Sequence, residues 1–209
     1  KNNKNSHKTT YINRVKKPTS RLNQTITEIT LYYTNANSLM SKLGEFQADI
    51  QQRNPTFIIV TETWLHKDIP NSLIQLQDYS IFRNDRRDHR GGGVCIWLKN
   101  NIQGYKINAK SINNYDIPES VEAEWISIRV GEFELVLAGV YRPGHISIED
   151  NAKLVEIMGE AWREKENIII AGDFNYPEIS WSNATLTSNS LVAQEFLAQQ
   201  QWNYTQLIN

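Results

Sequence analysis

A mixed α/β fold with long antiparallel stretches is predicted by three observations. Two short apolar runs, Phe57-Ile58-Ile59-Val60 and Ile168-Ile169-Ile170-Ala171, have the length and composition of strands buried on both faces. Two longer stretches, 121 to 130 and 133 to 141, read as consecutive extended strands. Two further stretches carry apolar residues at helical spacing: Leu39, Leu43, Phe46 and Ile50, then Leu154, Ile157, Met158 and Ala161.

Taken in order, the first strand is expected over 26 to 34, where alternation ends in Asn35 and Asn37. Ser38 is placed to cap the helix that follows, 39 to 53, because its hydroxyl could accept from an early helical N–H. Strands follow at 57 to 61, 79 to 83, 93 to 98, 104 to 108, 121 to 130 and 133 to 141. A helix over 149 to 164, a strand over 167 to 172 and a helix over 190 to 200 complete the pattern, and Trp202 onward reads as the start of another element. No internal repeat or linker divides this order, so residues 25 to 209 are expected to form one unit behind a polar tail, 1 to 24.

Polar groups leave the ends of these strands in company. In Gly172-Asp173-Phe174-Asn175 the apolar run breaks at a glycine expected to let the backbone turn, and strand alternation would place Asp173 and Asn175 on one side. One can orient a water while the other donates to a phosphate oxygen. Asn35 and Asn37 leave the first strand with the same spacing. Glu62 is the first charge after the strand at 57 to 61, and a carboxylate there suits a hard divalent cation. Tyr141 and Arg142 end another apolar run, and a phenol and a guanidinium are natural phosphate donors. Arg90-Gly91-Gly92-Gly93 lacks the following helix that a nucleotide-binding loop requires, so it reads as a hairpin arm or a close backbone approach.

The order of these motifs, Asn35-Ala36-Asn37 after the first strand, Thr61-Glu62-Thr63-Trp64-Leu65, Gly92-Gly93-Val94, Val140-Tyr141-Arg142-Pro143 and Gly172-Asp173-Phe174-Asn175 with Trp181, resembles the endonuclease/exonuclease/phosphatase superfamily. Within it the chain is most similar to the apurinic-like endonuclease domains of non-LTR retrotransposons, jockey-like or chicken-repeat-like, from about residue 26 to 209. The resemblance implies a four-layered α/β sandwich of two packed mixed sheets flanked by helices. It implies Mg²⁺ as cofactor, with Mn²⁺ as a substitute, Glu62 as principal ligand and Asn37 as a second contact. Asn35 would hold the metal-bound phosphate, Asp173 would activate the attacking water, Asn175 would hydrogen-bond the scissile phosphate, and Tyr141 would stabilise the phosphate or departing oxygen. These are the parts in-line phosphodiester hydrolysis needs.

The chain departs from that family at one point. The Ser-Asp-His motif that closes the site in relatives occurs nowhere in the 209 residues. The expectation is therefore a domain truncated at its C-terminus, impaired in hydrolysis because an activated base and its orienter act as a unit. Of the histidines, His7 lies in the tail and His89 in a charged loop, while His66 and His145 are placed on loops that open at the site's end and remain substitutes to be considered. Missing strands would leave sheet edges open to a completing chain or a strand-exchanged dimer.

Charge is unevenly spread behind a net value of −1. Seven basic residues and no acidic one lie between Lys1 and Arg21, leaving fifteen basic against twenty-three acidic residues from position 22 onward. Such a tail should be flexible alone, and either contacts nucleic acid by counterion release or serves as a solubilising segment. Arg83, Arg86, Arg87 and Arg90 form a second cluster with Asp85 and Asp88 between them, and either grip a DNA backbone with Arg142 or pair with their own loop. No apolar run approaches the ~20 residues that span a bilayer. The single Cys95 can form no internal disulfide and is expected in the core. The expected setting is intracellular, with DNA in the nucleus as partner and a reverse transcriptase domain in the parent polypeptide; a catalytically inactive binding module and a phosphoesterase acting on other substrates are the alternatives.

Overall fold

In the computed structural model, residues 10–14, 29–87, 90–108, 116–130, 133–203 and 205–206 are described. The strands are β1 (Thr10–Arg14), β2 (Leu31–Asn35), β3 (Phe57–Thr61), β4 (Tyr79–Asn84), β5 (Val94–Lys99), β6 (Gln103–Lys106), β7 (Glu122–Val130), β8 (Phe133–Tyr141), β9 (Ile168–Asp173), β10 (Ile179–Ser180), β11 (Thr185–Leu186) and β12 (Thr205–Gln206). The α-helices are α1 (Leu43–Arg53), α2 (Ile148–Glu164) and α3 (Leu191–Asn203).

Two mixed sheets carry the fold, a four-stranded one in the order β2-β3-β5-β4 and a six-stranded one in the order β12-β1-β9-β8-β7-β6. Each holds one parallel pair, β2 with β3 and β8 with β9, and each pair is joined through a helix, α1 and α2. The alternation of side chains sorts the apolar residues into three cores. Phe57, Ile59, Ile96, Ile126, Leu137 and Ile169 pack between the sheets. Ile58, Val60, Cys95 and Trp97 meet Phe46 and Ile50 of α1. Val136, Ala138, Ile168 and Ile170 meet Leu154, Ile157 and Met158 of α2 and Phe196 of α3. The result is helix, sheet, sheet, helix, the four layers that the family resemblance implies. Cys95 lies in this core as expected, and burial pushes its thiol up.

Helix ends show how local chemistry sets these elements. Ser147 caps α2, accepting from Asp150 N–H at 3.0 Å, with Glu149 and Asp150 in the first turn to suit the helix dipole. Ser38 does not cap the first helix: it sits at φ 81, its N–H donates to Glu62 O at 2.9 Å, and a short 3₁₀ turn, Leu39–Lys42, precedes α1. The strand's end is tied to the neighbouring loop instead. Asn54 closes α1 in a left-handed conformation, φ 49, donating to Ile50 O at 2.8 Å.

Three differences from the sequence reading concern β-structure. Strand β1 lies within the stretch read as a flexible tail and pairs antiparallel with β9, Thr10 opposite Gly172 through Arg14 opposite Ile168. The first long strand begins at Leu31; residues 26 to 28 lie outside the described residues. Gly172 does not turn the chain. It stays inside β9, where a Cβ would meet Val140 O at 1.9 Å, so glycine is required there by the closeness of β8. Among the described residues no helix is long and apolar enough to cross a membrane.

Candidate active site

The two parallel pairs bring four strand ends together. Asn35 ends β2, Glu62 follows β3, Tyr141 ends β8 and Asp173 ends β9, so residues far apart in sequence leave the carboxyl ends of parallel strands at one place. Such ends are where open α/β sheets ordinarily present their ligand groups. In the six-stranded sheet Tyr141 stands opposite Asp173 on one side and Glu122 on the other.

Asn35 links the two sheets through its side chain. Its Nδ2 donates to Glu62 Oε1 at 2.9 Å and to Asp173 Oδ2 at 2.8 Å, while its Oδ1 accepts from Asn37 N–H at 3.0 Å. Both amide hydrogens are therefore committed to carboxylates. Asn35, expected to help hold the metal-bound phosphate, bridges Glu62 and Asp173 in this arrangement. Asp173 Oδ1 accepts from Asn175 N–H at 3.1 Å, and Asn175 Nδ2 donates to Arg142 O at 2.7 Å. The proximity of Asp173 and Asn175 follows from this turn, with Asn175 at φ 46, and not from strand alternation as expected. Glu62 at φ 49, Asn37 at φ 44 and Trp64 at φ 55 share the left-handed region, a concentration of uncommon backbone at one site.

Tyr141 is half-buried here. Burial, and then the Glu62 carboxylate, push its phenol from 10.0 to about 12, against the pull of Arg86; Asp173 and Glu122 add to the rise. Arg86 lies 5.5 Å from the centroid of the Tyr141 ring and binds Glu122 through Nε and Nη2. The close approach expected of the glycine run is the structure's answer for 91 to 93: a Cβ on Gly92 would meet the Arg86 guanidinium at 2.5 Å, and one on Gly93 would meet Thr63 Oγ1 at 2.6 Å. All three glycines have positive φ, which L side chains adopt with strain.

The arginines expected at DNA divide into two groups. Arg142 is buried at 2% exposure and donates to Asn151 Oδ1, Phe174 O and Asn175 O, with its guanidinium 4.0 Å from the Tyr176 ring centroid. It braces the turn that holds Asn175 and cannot face a nucleic acid. Arg83 is paired with Asp85 and donates to His66 O, Ile69 O and Asn71 Oδ1, and Arg86 is taken by Glu122. Only Arg87 and Arg90 of these five are exposed, Arg90 with its guanidinium 4.8 Å above the Trp64 ring. Exposed His66 pairs with Asp68 at 3.5 Å, and exposed His145 lines an open groove with Arg86, Arg87 and Glu119. His7, His89 and Asp88 lie outside the described residues.

The sequence reading passed over Glu122 and Asn151. Glu122 is buried at 6% exposure and Asn151 at 0%, where it accepts from Arg142 and Tyr176. A signal for the first existed in Glu122-Ala123-Glu124, two carboxylates at the start of a strand that continues with Trp125, Ile126 and Ile128. Among the described residues no group of three or more His, Cys, Asp or Glu stands ready for a metal ion. The donor chemistry nevertheless fits Mg²⁺, a hard cation that keeps several waters and binds through as few as one carboxylate, here Glu62, whose Oε1 is held by the Asn35 carboxamide.

No curated protein matches the chain. Among solved structures it is similar in fold to the endonuclease domain of TRAS1, a telomere-specific non-LTR retrotransposon, with TM-score 0.59 and 11% identity over 83% of this chain and 71% of that one. An AP endonuclease from Archaeoglobus fulgidus gives TM-score 0.57 and 12% identity over 84% of this chain and 71% of that one. A 3′ phosphatase, NExo, from Neisseria bound to product DNA hairpin gives TM-score 0.55 and 16% identity over 83% and 70%. Residues 33–207, a span that contains all four strand ends of the site, match the Endonuclease/Exonuclease/phosphatase family, and the chain belongs to that family.

Proposed function

We propose that the chain is a Mg²⁺-dependent endonuclease module that nicks DNA, as target-DNA nicking for a non-LTR retrotransposon requires, with Mn²⁺ able to substitute. The observation that carries this reading is the Asn35 carboxamide joined to both Glu62 and Asp173 beside a neutral phenol. Glu62 would hold the metal, with Asn37 beside it on the loop, and the bound ion would supply charge neutralisation at a phosphate oxygen. Asp173, with each oxygen already oriented by one donor, takes a proton from the attacking water as the water oxygen bonds to phosphorus. Asn175 has one amide hydrogen on Arg142 O and directs the other to the phosphate. Tyr141, protonated at any ordinary pH, hydrogen-bonds the phosphate or the oxygen that departs as the ester bond breaks. Exposed Arg87 and Arg90 meet the flanking backbone. Support for DNA as substrate comes from the NExo structure, described as bound to product DNA hairpin, and from the TRAS1 domain, described as an endonuclease.

A second reading, a binding module that does not hydrolyse, is favoured by the finding that no group of three or more His, Cys, Asp or Glu among the described residues stands ready for a metal ion. Nicking of supercoiled plasmid separates the two. The expected result is slow nicking with Mg²⁺, none with EDTA, and a loss of about a hundredfold or more in Glu62→Ala and Asp173→Ala. DNA retention without nicking by the folded chain would establish the second reading. A reverse transcriptase domain in the same polypeptide, or a chain that completes the site, is the partner to seek in that event.

A further inference from the structure

We infer that Arg86, held by Glu122, is a positioning residue for Tyr141: it fixes the phenol against the Glu62 and Asp173 carboxylates and makes no contact of its own with the substrate. The inference rests on the proposed role of Tyr141 and deepens it. Four observations carry it. The Arg86 guanidinium lies 5.5 Å from the Tyr141 ring centroid. Its fork is engaged by both oxygens of Glu122, at 2.5 Å from Nε and 2.9 Å from Nη2, and Glu122 is itself 6% exposed. Glu122 stands directly opposite Tyr141 across β7 and β8. Gly92, at φ 59, leaves the space the guanidinium fills, since a Cβ would meet its Cζ at 2.6 Å.

The chemistry of the pairing explains why an arginine is used. A planar guanidinium can present its edge to a carboxylate and its face to a ring at once, which an ammonium cannot do. A cation whose Nε and Nη2 are held by Glu122 is a weaker phosphate ligand and a rigid wall for the phenol. Arg86 follows β4 in one sheet and Glu122 begins β7 in the other, so the wall also ties the Tyr141 strand to the sheet that carries Glu62. Arg86, like Arg83 and Arg142, thus faces inward.

Steady-state nicking with Mg²⁺ tests the assignment. Arg86→Met is expected to lower kcat by about tenfold or more with KM within about twofold, and Arg86→Met combined with Tyr141→Phe should be no slower than Tyr141→Phe alone, as groups acting as a unit behave. Arg86→Lys, which keeps the charge without the fork, should recover only part of the loss. A rise in KM that steepens with salt, or losses that multiply in the double variant, would overturn the inference and make Arg86 a backbone contact. Because Arg86→Met strands a buried carboxylate, Arg86→Met with Glu122→Gln is measured beside it, so that misfolding is not mistaken for lost positioning. A ¹⁹F spectrum of fluorotyrosine-labelled protein, its Tyr141 line identified by loss in Tyr141→Phe, needs no turnover. The line should shift or sharpen toward a mobile ring in the Arg86 variants; an unmoved line would overturn the inference even if the wild type does not nick, an outcome that would separately defeat the endonuclease reading.

Discussion

Tyr141 shows how a single side chain ties chemistry to stability. Its phenol is raised from 10.0 to about 12, so the folded state keeps a proton that the unfolded chain releases first. The stability this contributes is complete below pH 10 and is lost as pH rises through about 12. Urea unfolding across that window should therefore show a falling midpoint whose slope is shallower in Tyr141→Phe; an unchanged slope would remove the phenol from the balance. That Asn35, Glu62, Tyr141 and Asp173 leave strand ends could be read from sequence because each follows an apolar or alternating run. The arginines could not. A guanidinium on the surface and one buried against Glu122 or Asn151 look alike until long-range partners are known, and Arg83, Arg86 and Arg142 all turned inward.

At the scale of elements, strand placement followed the apolar pattern closely: the expected strand at 57 to 61 is Phe57–Thr61, and that at 133 to 141 is Phe133–Tyr141. Strand β1 escaped because Thr10–Arg14 has no apolar run to announce it, and its pairing with β9 is made by backbone groups that every sequence possesses. Ser38 misled because side chains that cap helices also serve turns and tight loops, and here the loop won. The β8–β9 pair offers a test. Gly172→Ala would drive a methyl toward Val140 O, at 1.9 Å before any shift, and must push the strands apart or rotate the residue beside Asp173. We expect a loss of about 1–3 kcal/mol in unfolding free energy, as overpacking gives, with nicking reduced beyond what the unfolded fraction explains. A fully active Gly172→Ala variant would show that the end of β9 tolerates displacement.

For the whole molecule, the site exists only while two sheets are docked. Asn35 to Asp173, Asn84 Nδ2 to Ala123 O at 2.8 Å, and Arg86 to Glu122 all cross from one sheet to the other. The apolar layer beneath them includes Ile59, with 0% exposure, whereas the equally buried Ile157 belongs to α2 and packs in the separate core on the outer face of the six-stranded sheet. Truncation of either to alanine should cost about 2–5 kcal/mol. At matched folded fraction, Ile59→Ala should lose more kcat than Ile157→Ala, since only the first alters the spacing between the sheets that carry Glu62 and Asp173. Equal losses would show that the polar links alone hold the site. Strand β1, finally, lies between β9 and β12, so the strand that delivers Asp173 is flanked on one side by a segment drawn from the opposite end of the described chain. Pairings of such high sequence separation are slow to form, because loop-closure entropy is lost before their contacts are gained. Until that strand docks, β9 presents a bare edge ready to recruit any extended neighbour. Refolding yield should thus fall with protein concentration, because folding chains with that edge open are more prone to association than the native state.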